Sequence, residues 1–134
     1  MARRAECYVD TSAFIAFLDR SDAYHPVFVR LFSEPPPFVT SALVIAEGYG
    51  WFLRRYDQGR AMQFLDFIAA LSQLEIEGFG REQLALSKRA VKRFAHQKLT
   101  LADAHGLGIM ADRKTRVCWS TDRHLSLTGV QLVI

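Results

Sequence analysis

The segment Glu6–Ile15, with the sequence ECYVDTSAFI, decides the predicted fold because it reads as a strand, an acid and a helix start. Tyr8 and Val9 favour a β-strand, and the three residues Asp10–Ser12 supply capping oxygens before the apolar run 13–18. In parallel α/β sheets, chemistry collects outside the carboxyl ends of the strands. Asp10 is therefore either a functional carboxylate or only a helix cap, and the junction alone leaves both open.

Three further acids occupy comparable positions later in the chain. Asp122 follows the predicted strand 116–119 together with Ser120, and so repeats the junction at Asp10. Glu47 lies within a nearly all-apolar helix predicted for 42–56, where an ionised carboxylate is costly unless paired or bound to a cation. Asp103 lies in the first turn of a predicted helix ending near residue 112.

Each of the last two acids also has a structural alternative. Glu47 would pair with Arg54 or Arg55 if it lay on a narrow solvent-facing stripe. Asp103 stands three residues after Thr100, which is the spacing of a capping box. These alternatives remain open at the level of the sequence.

Hydrophobic periodicity and turn residues predict a parallel α/β sheet with helices on both faces. The predicted strands are 6–10 (ending in the acid Asp10), 38–40, 74–77 (as an edge strand), 116–119 and 130–134. The predicted helices are 12–19, 24–32, 42–56, 60–72, 81–96 and 99–112, with a short helix before the last strand.

Composition predicts one folded domain over 1–134, since half of the 134 residues are hydrophobic. No apolar run approaches the roughly 20 residues that span a bilayer, and no signal peptide opens the chain, so we expect a cytosolic protein. Cys7 and Cys118 are expected to be free, buried thiols, although their strands are potential neighbours. The four histidines show no paired metal-ligand spacing and are interpreted as packing or surface residues.

The chain has 17 Lys and Arg residues and 14 Asp and Glu residues. Its net charge of +3 weakly favours binding to polyanions. With four acids committed to metal ions, the remaining surface is more basic and compatible with a phosphate backbone. Lys88, Arg89, Lys92 and Arg93 cluster on one side of the fifth helix. This basic face either meets RNA or is simply solvated, and we favour the solvated face.

Asp10, Glu47, Asp103 and Asp122 would all lie at the same edge of such a sheet. Oxygen ligands of this kind suit Mg²⁺ or Mn²⁺. An acidic cluster holding one or two such ions is a recurrent site for phosphodiester hydrolysis, because the metal polarises the phosphate and lowers the pKa of the attacking water.

At this point the chain resembles the PIN-domain ribonucleases, especially the toxins of VapBC-type toxin–antitoxin pairs. The resemblance covers nearly the whole chain and rests on four short segments in the right order: Val9–Phe14, Val39–Glu47, Leu101–Ala104 and Ser120–Leu125. One departure is the pair Gly106 and Gly108, which we expect to loosen the start of the sixth helix.

The resemblance implies a three-layer α/β/α fold with a mainly parallel sheet of about five strands. It implies that Asp10, Glu47, Asp103 and Asp122 bind Mg²⁺ or Mn²⁺, and that Ser120 bonds the site carboxylates or the ion-bound water. The implied activity is endonucleolytic cleavage of RNA, often structured RNA such as tRNA or rRNA. A homodimer and a cognate antitoxin are the implied protein partners.

Two competing functions follow from the same residues. A phosphotransfer or phosphatase domain with Asp10 as nucleophile would need either a second Asp two residues later, where Ser12 stands, or paired acids at the first strand and a Lys near the last strand, and the chain has neither. A catalytically inactive PIN-like module would bind RNA or a protein through the same fold, and the complete set of four acids argues against it.

Overall fold

The computed structural model describes residues 5–133, which form one five-stranded, all-parallel sheet with strand order β3-β2-β1-β4-β5. The strands are β1 Cys7–Val9, β2 Phe38–Ser41, β3 Leu74–Glu77, β4 Val117–Trp119 and β5 Gln131–Leu132. The helices are α1 Thr11–Leu18, α2 His25–Ser33, α3 Ala42–Arg55, α4 Gln58–Ala70, α5 Arg81–Arg93 and α6 Leu101–Arg113. The predicted parallel α/β fold is confirmed.

Strand β1 is the centre of the sheet, and all three of its residues are buried. It pairs with β4 in a register that places Tyr8 beside Cys118 and Val9 beside Trp119. Because neighbouring strands end together, the residues that follow them, Asp10 and Ser120, emerge at the same edge of the sheet.

The two cysteines are buried and are not joined by a disulfide, as the sequence predicts. Their strands are neighbours, but Cys118 is level with Tyr8, one residue beyond Cys7. Side chains alternate between the faces of a sheet, so the two thiols project to opposite faces and a disulfide is not formed.

An aromatic cluster fixes α1 and α2 against the sheet. Phe32 packs at right angles to Trp119 with ring centroids 5.0 Å apart, and Phe14 lies 5.9 Å from Phe32. Each such ring contributes roughly 1.5–3 kcal/mol of burial free energy. The start of α1, where Asp10 lies, is therefore attached to a rigid core.

The far end of α1 is held by a buried carboxylate. Asp19 accepts hydrogen bonds from the Ser21 hydroxyl at 2.7 Å and from the Tyr56 hydroxyl at 3.0 Å. Burial raises the pKa of Asp19, but these hydrogen bonds and the nearby Arg60 outweigh it and leave the pKa below its usual range. Helix α1 is thus anchored at both ends.

Helix α3 is less buried than its sequence predicts. Only Val44, Gly48 and Phe52 are fully buried, while Leu53 remains 42% exposed. The helix packs mainly on α4 along one side, so its apolar composition does not correspond to burial all round. The prediction of a largely buried α3 is wrong.

Helix α5 also departs from expectation, since Leu84 and Leu86 are about half exposed and Ser87 alone in this helix is buried. The prediction that Leu84 and Leu86 lie on the packed side of the helix is wrong. Helix α5 packs on the rest of the protein mainly through α6, which leaves these two side chains exposed. The basic face formed by Lys88, Arg89, Lys92 and Arg93 is exposed, as predicted for a solvated face.

Strand β3 is an edge strand, as predicted, but its faces differ from simple alternation. Ile76 is 49% exposed, whereas Glu75 and Glu77 turn toward Arg113 of α6 at 2.8 Å and 2.6 Å. Arg113 also binds Glu6 at 2.7 Å. An edge strand that carries charged side chains is protected against pairing with another chain.

The remaining boundaries agree within a few residues. Strand β5 is shorter than the predicted 130–134, and Ile134 lies outside the described residues. Among residues 5–133, none of the helices has the length and apolar character that crossing a bilayer would require.

Candidate active site

Asp10 lies at the junction of β1 and α1 and is 6% exposed. It occupies the N-cap position of α1, but its side chain makes no capping hydrogen bond. Instead, Oδ2 accepts bonds from the hydroxyls of Ser120 at 2.8 Å and Ser12 at 3.1 Å. The helix-cap interpretation therefore does not explain why this residue is an acid.

The same two hydroxyls connect Asp10 with the segment that carries Asp122. The Ser120 hydroxyl accepts the backbone N–H of Asp122 at 2.8 Å, and the Ser12 hydroxyl accepts that of Thr121 at 3.0 Å. The two serine oxygens lie 3.2 Å apart. The loop after β4 is thereby positioned directly against the loop after β1.

Glu47 lies on the exposed side of α3, which corrects the expectation that it is covered by apolar residues. It does not pair with Arg54 or Arg55; the Thr11 hydroxyl instead donates a hydrogen bond to its Oε1 atom at 3.1 Å. Helix α3 follows β2 directly, so its first turns stand at the carboxyl edge of the sheet and Glu47 forms the outer rim of the site.

Asp103 is buried in the first turn of α6 and makes the complete capping box. Its Oδ2 accepts the backbone N–H of Thr100 at 3.1 Å, and its own N–H bonds the Thr100 hydroxyl at 3.1 Å. The capping role is real, and it holds the carboxylate at the same edge as the other acids.

The expected loosening of α6 at Gly106 and Gly108 is wrong, since the helix is continuous from Leu101 to Arg113. Gly106 allows close packing: a Cβ at this position would lie 2.8 Å from the Tyr8 hydroxyl oxygen. The small residue lets α6 approach β1, which brings Asp103 toward Asp10.

Asp122 and His124 complete the edge on the β4 side. Asp122 caps a short 3₁₀ helix, Arg123–Ser126, through the backbone N–H of His124 at 2.9 Å. The Nδ1 atom of His124 lies 3.2 Å from Asp122 Oδ1 and 3.5 Å from Asp103 Oδ2. One ligand atom from each of these three residues lies within 4.8 Å of the other two.

The four predicted acids interact electrostatically, with Asp103 as the common member. Burial raises the pKa of Asp10 to about 6, with hydrogen bonds opposing it and the charge of Asp103 adding to it. Burial also raises the pKa of Glu47. The negative charges of Asp103 and Asp122 raise that pKa further. The pKa of Asp103 is raised by burial and by Asp122. Asp10 and Glu47 lie outside the compact group of Asp103, Asp122 and His124.

This arrangement fits a divalent cation. Within residues 5–133, none of the four carboxylates pairs with a lysine or arginine, and the basic side chain beside them is His124, near Asp103 and Asp122. The Tyr8 hydroxyl is fully buried with no hydrogen-bond partner among the same residues, and Asp10, Asp103 and Glu47 each raise its pKa after burial. Clustered carboxylate oxygens of this kind are the ligands that Mg²⁺ and Mn²⁺ prefer.

The site runs from buried to solvent-accessible residues. Asp10 and Asp103 form its buried floor, while Asp122 and Glu47 stand on its accessible rim. A separate cleft of about 330 Å³ between α5 and α6 contains none of the four acids.

Three residues of the site do not stand out in the sequence. Thr11 and Ser12 appear there only as helix-capping residues, and His124 as a packing or surface histidine. The signal for His124 is its position two residues after a strand-end acid. Its partner Asp103 comes from another helix, which no local spacing rule detects.

The PIN domain family model matches residues 7–130 of this chain. The chain belongs to the PIN domain family. A search of curated proteins found no match.

Solved structures with the same fold include toxins and toxin–antitoxin complexes. The chain is similar to VapC20 of Mycobacterium tuberculosis, described as a sarcin-ricin loop cleaving toxin, with a TM-score of 0.84 and 21% identity over 93% of this chain and 96% of that one. It is also similar to VapBC2 of Rickettsia felis bound to a promoter DNA fragment, with a TM-score of 0.62 and 13% identity over 96% and 97% of the two chains. A toxin–antitoxin complex of Klebsiella pneumoniae gives a TM-score of 0.62 and 17% identity over 96% of each chain.

Proposed function

We propose that this protein is a metal-dependent endoribonuclease and the toxin of a type II toxin–antitoxin pair. The observation that carries the proposal is the set of four acids from four separate segments at one edge of the sheet, where burial and the neighbouring acids raise the pKa of Asp10, Glu47 and Asp103. Membership of the PIN domain family supports the same chemistry.

Asp10, Glu47, Asp103 and Asp122 would hold Mg²⁺ or Mn²⁺ at this edge. The cation, when bound, would polarise the scissile phosphate and lower the pKa of the attacking water. The hydroxyls of Ser12 and Ser120 orient the Asp10 carboxylate through their bonds to Oδ2. Thr11 orients Glu47 in the same way.

The reaction is hydrolysis of a phosphodiester. Water forms the new bond to phosphorus and the bond to the 3′ oxygen breaks, which leaves a 5′-phosphate and a 3′-hydroxyl. Asp10, the most deeply buried of the four carboxylates together with Asp103, is the residue whose loss should abolish cleavage.

RNA is the substrate class we propose, and structured RNA in particular. The related fold of VapC20 belongs to a toxin described as cleaving the sarcin-ricin loop. The net charge of +3 and the accessible rim of the site are compatible with a folded polyanion.

A cognate antitoxin is the protein partner we propose, because two of the similar structures are toxin–antitoxin assemblies. Exposed apolar side chains on α2 to α4 and just before α2 are candidates for contact with an antitoxin or with a second copy in a homodimer: Tyr24, Val27, Val29, Leu53 and Met62. We place the protein in the cytoplasm with its RNA.

The decisive experiment is cleavage of total RNA by wild type and Asp10→Asn, each with Mg²⁺, Mn²⁺ or EDTA. A matched control is Asp112→Asn, which neutralises an exposed acid on the same helix as Asp103. We expect discrete, metal-dependent fragments from wild type and from the control, and none from Asp10→Asn.

The alternative is a catalytically inactive PIN-like module that binds RNA or protein. Such a module would yield no fragments under any condition, and its Mn²⁺ affinity would be indifferent to Asp10→Asn. Cleavage unchanged by Asp10→Asn would instead exclude the four-acid site.

A further inference from the structure

His124 is the one nitrogen donor placed among the carboxylates of the described site. Its Nδ1 atom lies between two acids from different elements, 3.2 Å from Asp122 Oδ1 and 3.5 Å from Asp103 Oδ2. These three atoms lie within 4.8 Å of one another, close enough for a single ion to contact all of them.

The position of the imidazole is fixed by the backbone. Asp122 caps the 3₁₀ helix Arg123–Ser126 by accepting the His124 N–H at 2.9 Å, and Leu125, the next residue, is fully buried in the core. His124 itself is 34% exposed in its side chain, against 8% for Asp103. The imidazole therefore lines the accessible side of the site, where an ion can enter.

We infer that His124 supplies an imidazole nitrogen to the divalent-cation site, beside the carboxylates of Asp103 and Asp122. This inference rests on the proposed metal-dependent function and deepens it. Without His124, the site would offer only carboxylate oxygens, which suit Mg²⁺ and Mn²⁺ alike.

An imidazole ligand changes which metal the site selects. Mg²⁺ prefers oxygen ligands and keeps several waters, whereas Mn²⁺ and the later transition metals accept nitrogen more readily. The site should therefore bind Mn²⁺ more tightly than Mg²⁺, and His124 should account for a large part of the difference.

The test uses the metal-stripped full chain loaded with Mn²⁺ and examined by pulsed electron paramagnetic resonance, which detects nitrogen bound to the ion. Calorimetry gives Mn²⁺ and Mg²⁺ affinities for wild type, His124→Gln and His96→Gln. His96 is an exposed histidine outside the site and is the matched control. Thermal unfolding verifies that the variants are folded.

We expect nitrogen modulation in wild type and His96→Gln and its loss in His124→Gln. Mn²⁺ affinity should fall roughly 10- to 100-fold in His124→Gln, while Mg²⁺ affinity falls by a clearly smaller factor.

The results that would overturn the inference also show whether the proposed metal-dependent function fails with it. Mn²⁺ binding without nitrogen modulation, or with modulation that persists in His124→Gln, rejects the imidazole ligand and leaves the nuclease proposal standing. Failure of wild type to bind Mn²⁺ at all rejects the metal-dependent function together with the ligand.

Discussion

The Thr11 hydroxyl donates a hydrogen bond of 3.1 Å to Oε1 of Glu47, which joins the first turn of α1 to the outer side of α3. The two neighbours of Thr11 also belong to the site. Asp10 is one of the four acids, and the Ser12 hydroxyl bonds both Asp10 and the loop before Asp122. One tripeptide thus contributes one acid and positions two more.

Thr11→Val should weaken cation binding without removing any proposed ligand. The hydroxyl stabilises the charged form of Glu47, so its loss raises the Glu47 pKa further. A lost hydrogen bond of this kind corresponds to a roughly 2- to 10-fold fall in Mn²⁺ affinity. Calorimetry measures it, and Thr11→Ser, which keeps the hydroxyl, should resemble wild type. Equal affinities in all three proteins would show that Thr11 does not position Glu47.

Asp10→Asn should stabilise the metal-free protein while removing cation binding. A carboxyl whose pKa is about 6 in the fold and 3.8 unfolded binds more protons when folded, so folding stability falls as the pH rises from about 4 to 6. The shift corresponds to about 3 kcal/mol at neutral pH. Asp10→Asn should therefore be more stable by roughly 1–3 kcal/mol at pH about 7.

Urea unfolding of both proteins across this pH range, in EDTA, measures the difference. The part of the pH dependence due to Asp10 should be missing from Asp10→Asn, although Glu47 and Asp103 contribute in the same direction in both proteins. Stability curves that run parallel from pH about 4 to 7 would contradict the assigned shift.

Gly106→Ala and Gly108→Ala should have opposite effects on stability, although both glycines lie in α6. A Cβ at 106 would meet the Tyr8 hydroxyl at 2.8 Å, and overpacking of this kind costs roughly 1–3 kcal/mol. A Cβ at 108 has no atom within 4 Å, so the better helix propensity of alanine should stabilise by about 0.5–1 kcal/mol. Chemical denaturation of the pair checks both signs, and destabilisation by both substitutions would refute the close approach specific to Gly106.

Asp19→Asn should destabilise the protein at neutral pH and reduce its sensitivity to acid. The folded pKa of Asp19 is lowered, so its charged form contributes stability above the unfolded value of 3.8, and this contribution is lost as the pH falls through the folded pKa. We expect a loss of roughly 1–3 kcal/mol at neutral pH. Thermal unfolding between pH about 2 and 7 should show the gap between wild type and variant closing in acid.

The control for that experiment is Asp66→Asn, an exposed acid on α4 with no comparable network. Its unfolding curve should follow wild type throughout. A variant Asp19→Asn that did the same would mean that the Tyr56 and Ser21 hydroxyls hold the end of α1 independently of the carboxylate charge.

The sequence was sufficient to predict the sheet and the edge that carries the acids. Strand-end acids such as Asp10 and Asp122 are local patterns, and parallel topology brings them together. The exposure of Glu47 could not be predicted, because periodicity reports apolar composition and not which side of α3 a neighbouring helix covers. The place of His124 in the site could not be predicted for a similar reason. Its partner Asp103 comes close only because α6 packs against the 3₁₀ helix.

The pairing of β1 with β4 also governs when the site forms during folding. The bond between Ser120 and Asp10 joins residues 110 positions apart, so it requires the closure of a very long chain loop. Contacts of such high sequence separation form slowly and late, after local contacts such as those within the helices. An intermediate that contains α1 to α5 but has not docked β4 would lack Asp122 and the Ser120 bond to Asp10. The proposed cleavage activity is therefore expected only from the completed fold, and its onset in a refolding experiment would report the last docking step of the chain.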